Sequence, residues 1–152
     1  MSAATIRRIT IAELEQAPFL DEFIAAYGDE SSIPEIGEPE PCFATYRAME
    51  ASGVLHVLGA FAPDLVGVAS VLVFGLPHYA GRKIASMESI FVMPSARRSG
   101  AGLGLLRAAE QCAREQGAKA LMISAPVGGR LAAVMSKTEY RETSRVFAKG
   151  LA

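Results

Sequence analysis

The chain has 152 residues, 51% of them hydrophobic and 20% charged, with a formal net charge of −1. That length and balance predict one domain over residues 1–152 with a compact core, and near-neutrality argues against a nucleic-acid-binding surface. Cys42 and Cys112 form neither a metal spacing nor a disulfide scaffold, so no metal site is expected and a reducing cytoplasm is the default compartment.

The opening MSAATIRRITIAELEQ lacks a signal-peptide core. Within it, Thr5 to Ile11 reads as a first strand. Ala12 to Tyr27 carries Leu14, Phe19, Leu20, Phe23, Ile24 and Tyr27 and reads as a helix, with Pro18 at a first-turn position and Gly28 ending it. Asp29 to Pro41, with Pro34, Pro39 and Pro41, reads as a loop: either a lid or specificity segment, or a disordered acidic stretch. Pro41 to Ala51 reads as a second helix on Phe43, Tyr46 and Met49, closed by Ser52-Gly53. Val54 to Phe61 and Leu65 to Leu76 read as antiparallel strands around the turn Ala62-Pro63-Asp64. The apolar run from Val66 to Leu76 is broken by Gly67, Ser70 and Gly75 and is too short to span a bilayer, so no membrane association is expected. His56 alternates with apolar neighbours, as an edge or core residue would.

Pro77 to Gly81 turns the chain, and Lys83 onward leads into a central strand, Met87 to Met93, which Pro94 ends. A helix follows from Gly100 or Ala101 to Gln116, with Leu103, Leu106, Ala109 (or Glu110) and Ala113 on one face. Gly117 sits where helices end in a left-handed residue. Ala118 to Ser124 reads as a short buried strand, parallel to the central one. Ala125 to Arg130 is a flexible corner, Leu131 to Lys137 a short helix, and Glu142 to Lys149 a last strand centred on Val146-Phe147-Ala148.

The informative stretch is Arg97-Arg98-Ser99-Gly100-Ala101-Gly102-Leu103-Gly104, between the central strand and the long helix. A glycine in a helix interior costs up to ~1 kcal/mol against alanine. Gly100, Gly102 and Gly104 at a helix start therefore point to a need for bare backbone. First-turn amides without side chains can close on a phosphate, and the helix dipole adds roughly 0.3–1 kcal/mol of attraction. Arg97 and Arg98 bring full charges to the same place. A Walker loop needs a terminal Gly-Lys-Ser/Thr, which is missing. A dinucleotide fingerprint needs Gly-x-Gly-x-x-Gly, and position 105 is Leu.

Val92-x-Pro94-x-x-Arg97-Arg98-x-Gly100-x-Gly102 closely resembles motif A of the GNAT superfamily, the acyl-CoA-dependent N-acyltransferases. The core signature Arg/Gln-x-x-Gly-x-Gly/Ala is matched at Arg97, Gly100 and Gly102, and the element order β-α-α-β-β-β-α-β-α-β extends the resemblance over nearly the whole chain. The resemblance implies an α/β fold with a central mixed sheet splayed between its fourth and fifth strands. It further implies acetyl-CoA as acyl donor and an amine as acceptor. Pantetheine would pair with the strand edge at Phe91, Val92 and Met93. The pyrophosphate would rest on the amides of Arg98, Ser99, Gly100, Ala101, Gly102, Leu103 and Gly104 beside Arg97, with Ser124 and Ala125 walling the other side.

Glu88 is the carboxylate candidate for the amine, as base or ammonium anchor. Period-two alternation places it on one face with Val92, and an exposed strand glutamate is the plain alternative. The family's usual thiolate acid is a tyrosine in the helix after the parallel strand, and Met135 stands there. Ser136, Tyr140 or water is left to protonate the thiolate, and Gly128 and Gly129 leave backbone room. His78 and Arg107 read first as surface residues, and Cys42 lacks a base. The acceptor pocket is expected from Asp29–Tyr46, Leu76–Gly81 and Val127–Tyr140. A homodimer is compatible with the family. The missing tyrosine keeps a second reading open, a non-catalytic acyl-CoA sensor on the same fold. A third, a nucleotide-binding α/β module, predicts protection by ATP or NAD.

Overall fold

The computed structural model describes residues 3–152; residues 1 and 2, included in the expected domain, lie outside the described residues. The strands are β1 (Thr5–Ile9), β2 (Leu55–Phe61), β3 (Leu65–Gly75), β4 (Lys83–Val92) and β5 (Leu121–Ile123). They form one mixed sheet in sequence order, antiparallel from β1 to β4 and parallel between β4 and β5. Helices α1 (Ile11–Glu15), α2 (Leu20–Ser31) and α3 (Phe43–Ala51) precede β2, α4 (Ala101–Glu115) links β4 to β5, and α5 (Arg130–Met135) follows β5.

The sheet is covered on both faces. Leu105, Leu106, Ala109 and Ala113 of α4 pack on Leu58, Ala60, Ala69, Val71, Met87 and Val92. On the opposite face Ile11 and Phe23 join Leu55, Val57, Val68 and Phe91, with Tyr27, Phe43, Tyr46 and Met49 packed against them. The mixed α/β sheet expected from the sequence is present, but several elements differ from expectation.

The first strand stops at Ile9, because Thr10 caps α1. Its Oγ1 accepts from the Glu13 amide at 3.1 Å, and its own amide donates to the Glu13 carboxylate at 2.8 Å. This capping box contributes about 1 kcal/mol and turns Ile11, 1% exposed, into the core. The single helix expected from Ala12 to Tyr27 is two. Pro18 disfavours helical backbone at the residue before it, and Phe19 takes a left-handed φ of 62°. Helix α2 then runs through Gly28 to Ser31, where the Ser32 amide and hydroxyl both donate to the Gly28 carbonyl.

Leu103 does not share the core face of α4; it is 52% exposed. The helix begins at Ala101, which is fully buried, and a residue two positions on points about 200° away. The buried stripe is Ala101, Leu105, Leu106, Ala109, Cys112 and Ala113. The last strand expected over 142–149 does not form. Residues 141–152 have no ladder bonds and are exposed, Val146 and Phe147 included; strand propensity without a paired edge makes no strand. His56 is a core residue on the α4 side, 7% exposed, its Nδ1 against Arg8 and its Nε2 unpartnered. Burial, then the Arg8 charge, lowers its pKa.

Candidate functional site

The glycine-rich loop follows the end of β4. Pro94–Ala96 makes a single 3-10 turn, Gly100 takes a φ of 81° as the residue before α4, and no side chain caps the helix. The Ser99 hydroxyl donates to the Ala96 carbonyl at 2.6 Å and accepts from the Ala101 amide at 3.3 Å. The amides of Arg98, Gly100, Gly102 and Leu103 have no acceptor among the described residues. Unsatisfied amides at a helix start are an anion site in waiting.

The glycines differ in what requires them. Gly100 needs its left-handed backbone. Gly104 is required by packing, since a Cβ there falls 2.8 Å from Ile6 Cγ1 of β1. At Gly102 a Cβ meets only Val92 Cγ2, at 3.9 Å, an ordinary contact. Nothing among the described residues excludes a side chain at Gly102, so neither packing nor a left-handed backbone requires this glycine. A diphosphate resting on these amides fits that cradle, whereas the backbone alone gives no reason for it.

The two arginines are unequal. Arg97 is committed: Nε donates to the Val92 carbonyl at 3.0 Å, one terminal nitrogen bonds both oxygens of Glu30 at 2.7 Å, and the guanidinium lies 5.5 Å from the Phe91 ring centroid. Arg97 therefore ties α2 to the end of β4. Arg98 is exposed and makes no ion pair among the described residues, so it is the charge available to an anion.

The sheet opens beside this loop. β4 and β5 pair only over Ala85–Leu121, Ser86–Met122 and Met87–Ile123, whereas β4 stays bonded to β3 through Val92. The Met93 amide donates to the Val66 carbonyl at 2.8 Å. Alternation then turns Phe91 toward β3 as well, and turns Ile90 and Val92 to the unpaired side. With the Val92 carbonyl taken by Arg97, the open edge offers the Val92 amide and both main-chain groups of Ile90. This edge differs from the expected Phe91, Val92 and Met93: Phe91 and Met93 face β3, and Ile90 joins Val92 on the open side, which only the register shows. Ser124 is exposed and Ala125 half-buried, directly after the last paired residue of β5.

Glu88 is not on the face expected for it. The ladder pairs Ser70 with Ser89 and Val71 with Met87, so Glu88 is the extra residue of a bulge. The bulge reverses the alternation. Val92 packs toward α4, while Glu88 reaches the α2–α3 side. There its Oε1 accepts from the Tyr46 hydroxyl at 2.9 Å and its Oε2 from the Ser70 hydroxyl, which also lies 2.7 Å from Ser89 Oγ. The carboxylate is exposed. Burial, then the Glu88 charge, raises the pKa of both Tyr46 and Tyr27, so both phenols remain donors at neutral pH. Tyr46 and Ser70 also line a cleft of about 80 Å³ between α1, α2, α3 and the sheet, with Leu14, Phe23, Ile24 and Phe43 among its walls. Of the stretches expected to build the acceptor pocket, only Pro41, Phe43 and Tyr46 line this cleft; α1, α2 and the sheet supply the rest.

The remaining candidates stand apart. Met135 packs against the α4-side core. The Ser136 hydroxyl donates to the Ala133 carbonyl at 2.8 Å, and the Tyr140 hydroxyl to Glu110 at 3.0 Å. Burial and that carboxylate raise the Tyr140 pKa. His78 lies beside Tyr79 in an exposed turn, the rings tilted at 52° with centroids 4.6 Å apart, and exposed Cys42 accepts from the Thr45 hydroxyl, which lowers its pKa.

Comparison with known proteins identifies the family and the fold. The model of the "Acetyltransferase (GNAT) family" matches residues 12–134. No curated protein sequence matches. An acetyltransferase of Trypanosoma brucei superposes with a TM-score of 0.72 at 18% identity, covering 97% of this chain and 99% of that one. A ribosomal-protein-alanine N-acetyltransferase of Brucella melitensis gives 0.70 at 16%, covering 97% and 99%. The aminoglycoside acetyltransferase AAC(6')-Iy, bound to a bisubstrate analogue built on CoA, gives 0.72 at 18%, covering 97% of each chain. At these identities the structures speak for the fold, and the family model for kinship: the chain belongs to the GNAT family of acetyltransferases, which use acetyl-CoA as donor.

Proposed function

We propose that this chain transfers an acetyl group from acetyl-CoA to a primary amine by direct attack. The observation that carries the reading is Gly102, a glycine that neither backbone nor packing requires, set among free amides and beside an open strand edge. The amides of Arg98, Gly100, Gly102 and Leu103, with the Arg98 charge, would hold the pyrophosphate, and Ile90 and Val92 the pantetheine arm. The donor supplies its thioester carbonyl to the amine nitrogen.

Glu88 does the acceptor-side work. An amine arrives as ammonium and attacks only when neutral. The exposed carboxylate of Glu88, oriented by Tyr46 and Ser70, attracts the ammonium and takes its proton directly or through water. The nitrogen–carbon bond then forms, the carbon–sulfur bond breaks, and the nitrogen's second proton passes to the thiolate, giving the amide and free CoA. With the Ser136 and Tyr140 hydroxyls engaged elsewhere, water relays that proton.

Thiol release measured with acetyl-CoA and a broad amine panel tests this, with mass spectrometry of the products. A product heavier by one acetyl group is expected. Saturable acetyl-CoA binding without turnover on any amine contradicts catalysis and favours the sensor reading; protection by ATP or NAD rather than CoA contradicts both.

A further inference from the structure

The cleft beside Glu88 carries information about the acceptor that the family does not. Its lining is apolar and aromatic, with Leu14, Phe23, Ile24, Phe43 and Phe91 among it, and its polar side chains are Tyr27, Tyr46, Ser70 and Ser89. Among the described residues no charged side chain lines it. Three rings fix one wall, with Phe23 and Tyr27 meeting Phe91 edge-on at 5.3 and 5.7 Å. Tyr46 and Ser70 belong both to this lining and to the hydroxyl pair that holds the Glu88 carboxylate. The exposed Glu88 carboxylate therefore adjoins the cleft through these two hydroxyls, and the lining itself is apolar.

We propose that the acceptor is a compact aliphatic monoamine, its ammonium on Glu88 and its apolar group in this cleft. This rests on the transferase reading above. The charge fits once: a second ammonium at the other end of the molecule meets an apolar lining that holds no charged partner, a costly burial. Size adds a second limit. A cavity of about 150 Å³ admits a benzene ring. At about 80 Å³ this cleft takes a smaller group, roughly three carbons such as the isopropyl end of an isopentyl chain, and excludes an indole. Polycationic acceptors are disfavoured on the same grounds. The acidic residues Asp21, Asp29 and Glu38 line a neighbouring groove that shares Ile24 with this cleft.

Isopentylamine and 1,5-diaminopentane separate the possibilities, since both have five carbons and only the second carries a terminal charge. The expected kcat/KM for isopentylamine exceeds that for 1,5-diaminopentane by 30-fold or more. It exceeds that for ethylamine, three carbons shorter, by about 10-fold or more. Tryptamine and kanamycin should be poorer still. Ile24→Glu places a carboxylate in the wall and should reverse the order of the first two, while the midpoint shift given by CoA is unchanged. Turnover that is equal or faster with 1,5-diaminopentane or kanamycin overturns the inference and leaves the transferase reading intact. Should no amine turn over, calorimetric titration of the two amines into the protein, with and without CoA, decides. Saturable isopentylamine binding at least 10-fold tighter than that of the diamine supports the cleft as an aliphatic amine site, and no heat overturns it.

Discussion

Gly102→Glu should keep or raise the thermal midpoint and abolish acetyl-CoA binding. The substitution replaces glycine by a good helix former, a gain of up to about 1 kcal/mol. It also puts a negative charge in a first turn that has none and no cap, a further gain of about 0.3–1 kcal/mol. Its Cβ makes only an ordinary contact with Val92, at 3.9 Å. For a chain of this size such gains raise the midpoint by a few degrees, about 2–4 °C per kcal/mol. The same carboxylate stands where the pyrophosphate would bind and competes for its amides, so affinity for acetyl-CoA should fall by about 100-fold or more.

Gly104→Ala is the control with the opposite signature. Its Cβ would stand 2.8 Å from Ile6 Cγ1, and overpacking of this kind costs about 1–3 kcal/mol. The midpoint falls, while the folded fraction still binds acetyl-CoA. Differential scanning fluorimetry with and without the ligand reads both variants. A Gly102→Glu protein that binds acetyl-CoA as the parent does would show that the clear space has another purpose.

The second large effect is at Glu88. Glu88→Gln keeps the side-chain length and removes the charge and the proton acceptor. General-base loss typically costs 10²–10⁴-fold, and kcat/KM for the amine should fall within that range while the Kd for acetyl-CoA changes less than twofold. The split is informative. A fall in kcat marks a base, and a rise in the amine KM alone marks an ammonium anchor. Steady-state kinetics within threefold of the parent would leave Glu88 as no more than a strand residue that binds Tyr46 and Ser70.

What could be read from the sequence was local and repetitive. The strand, the glycine loop and the helix after it follow from propensity, periodicity and glycine spacing, and β2 to β4 follow from alternation broken by turn residues. The capping box was also present, as Thr10-x-x-Glu13, but apolar alternation through Ile11 hides it. Long-range facts were not legible. The bulge that moves Glu88 to the acceptor side depends on the pairing of Ser70 and Val71 with Ser89 and Met87, and no pattern within β4 encodes it. The division among three glycines depends on where β1 lies under α4. Arg97 looks like a free phosphate ligand until Glu30, 67 residues away, is placed against it. Val146-Phe147-Ala148 has every local mark of a strand and no edge to complete.

The central claim is that bare amides at the start of α4 and the open edge of β4 hold the acyl donor. Amide chemical shifts of isotopically labelled protein, followed through a titration with acetyl-CoA, test it most directly. The account predicts saturable shifts concentrated at Arg98, Gly100, Gly102, Leu103, Ile90 and Val92, with the outer residues of β1 and the exposed segment 141–152 unmoved. Saturation of the protein with acetyl-CoA while those amides stay in place would contradict it.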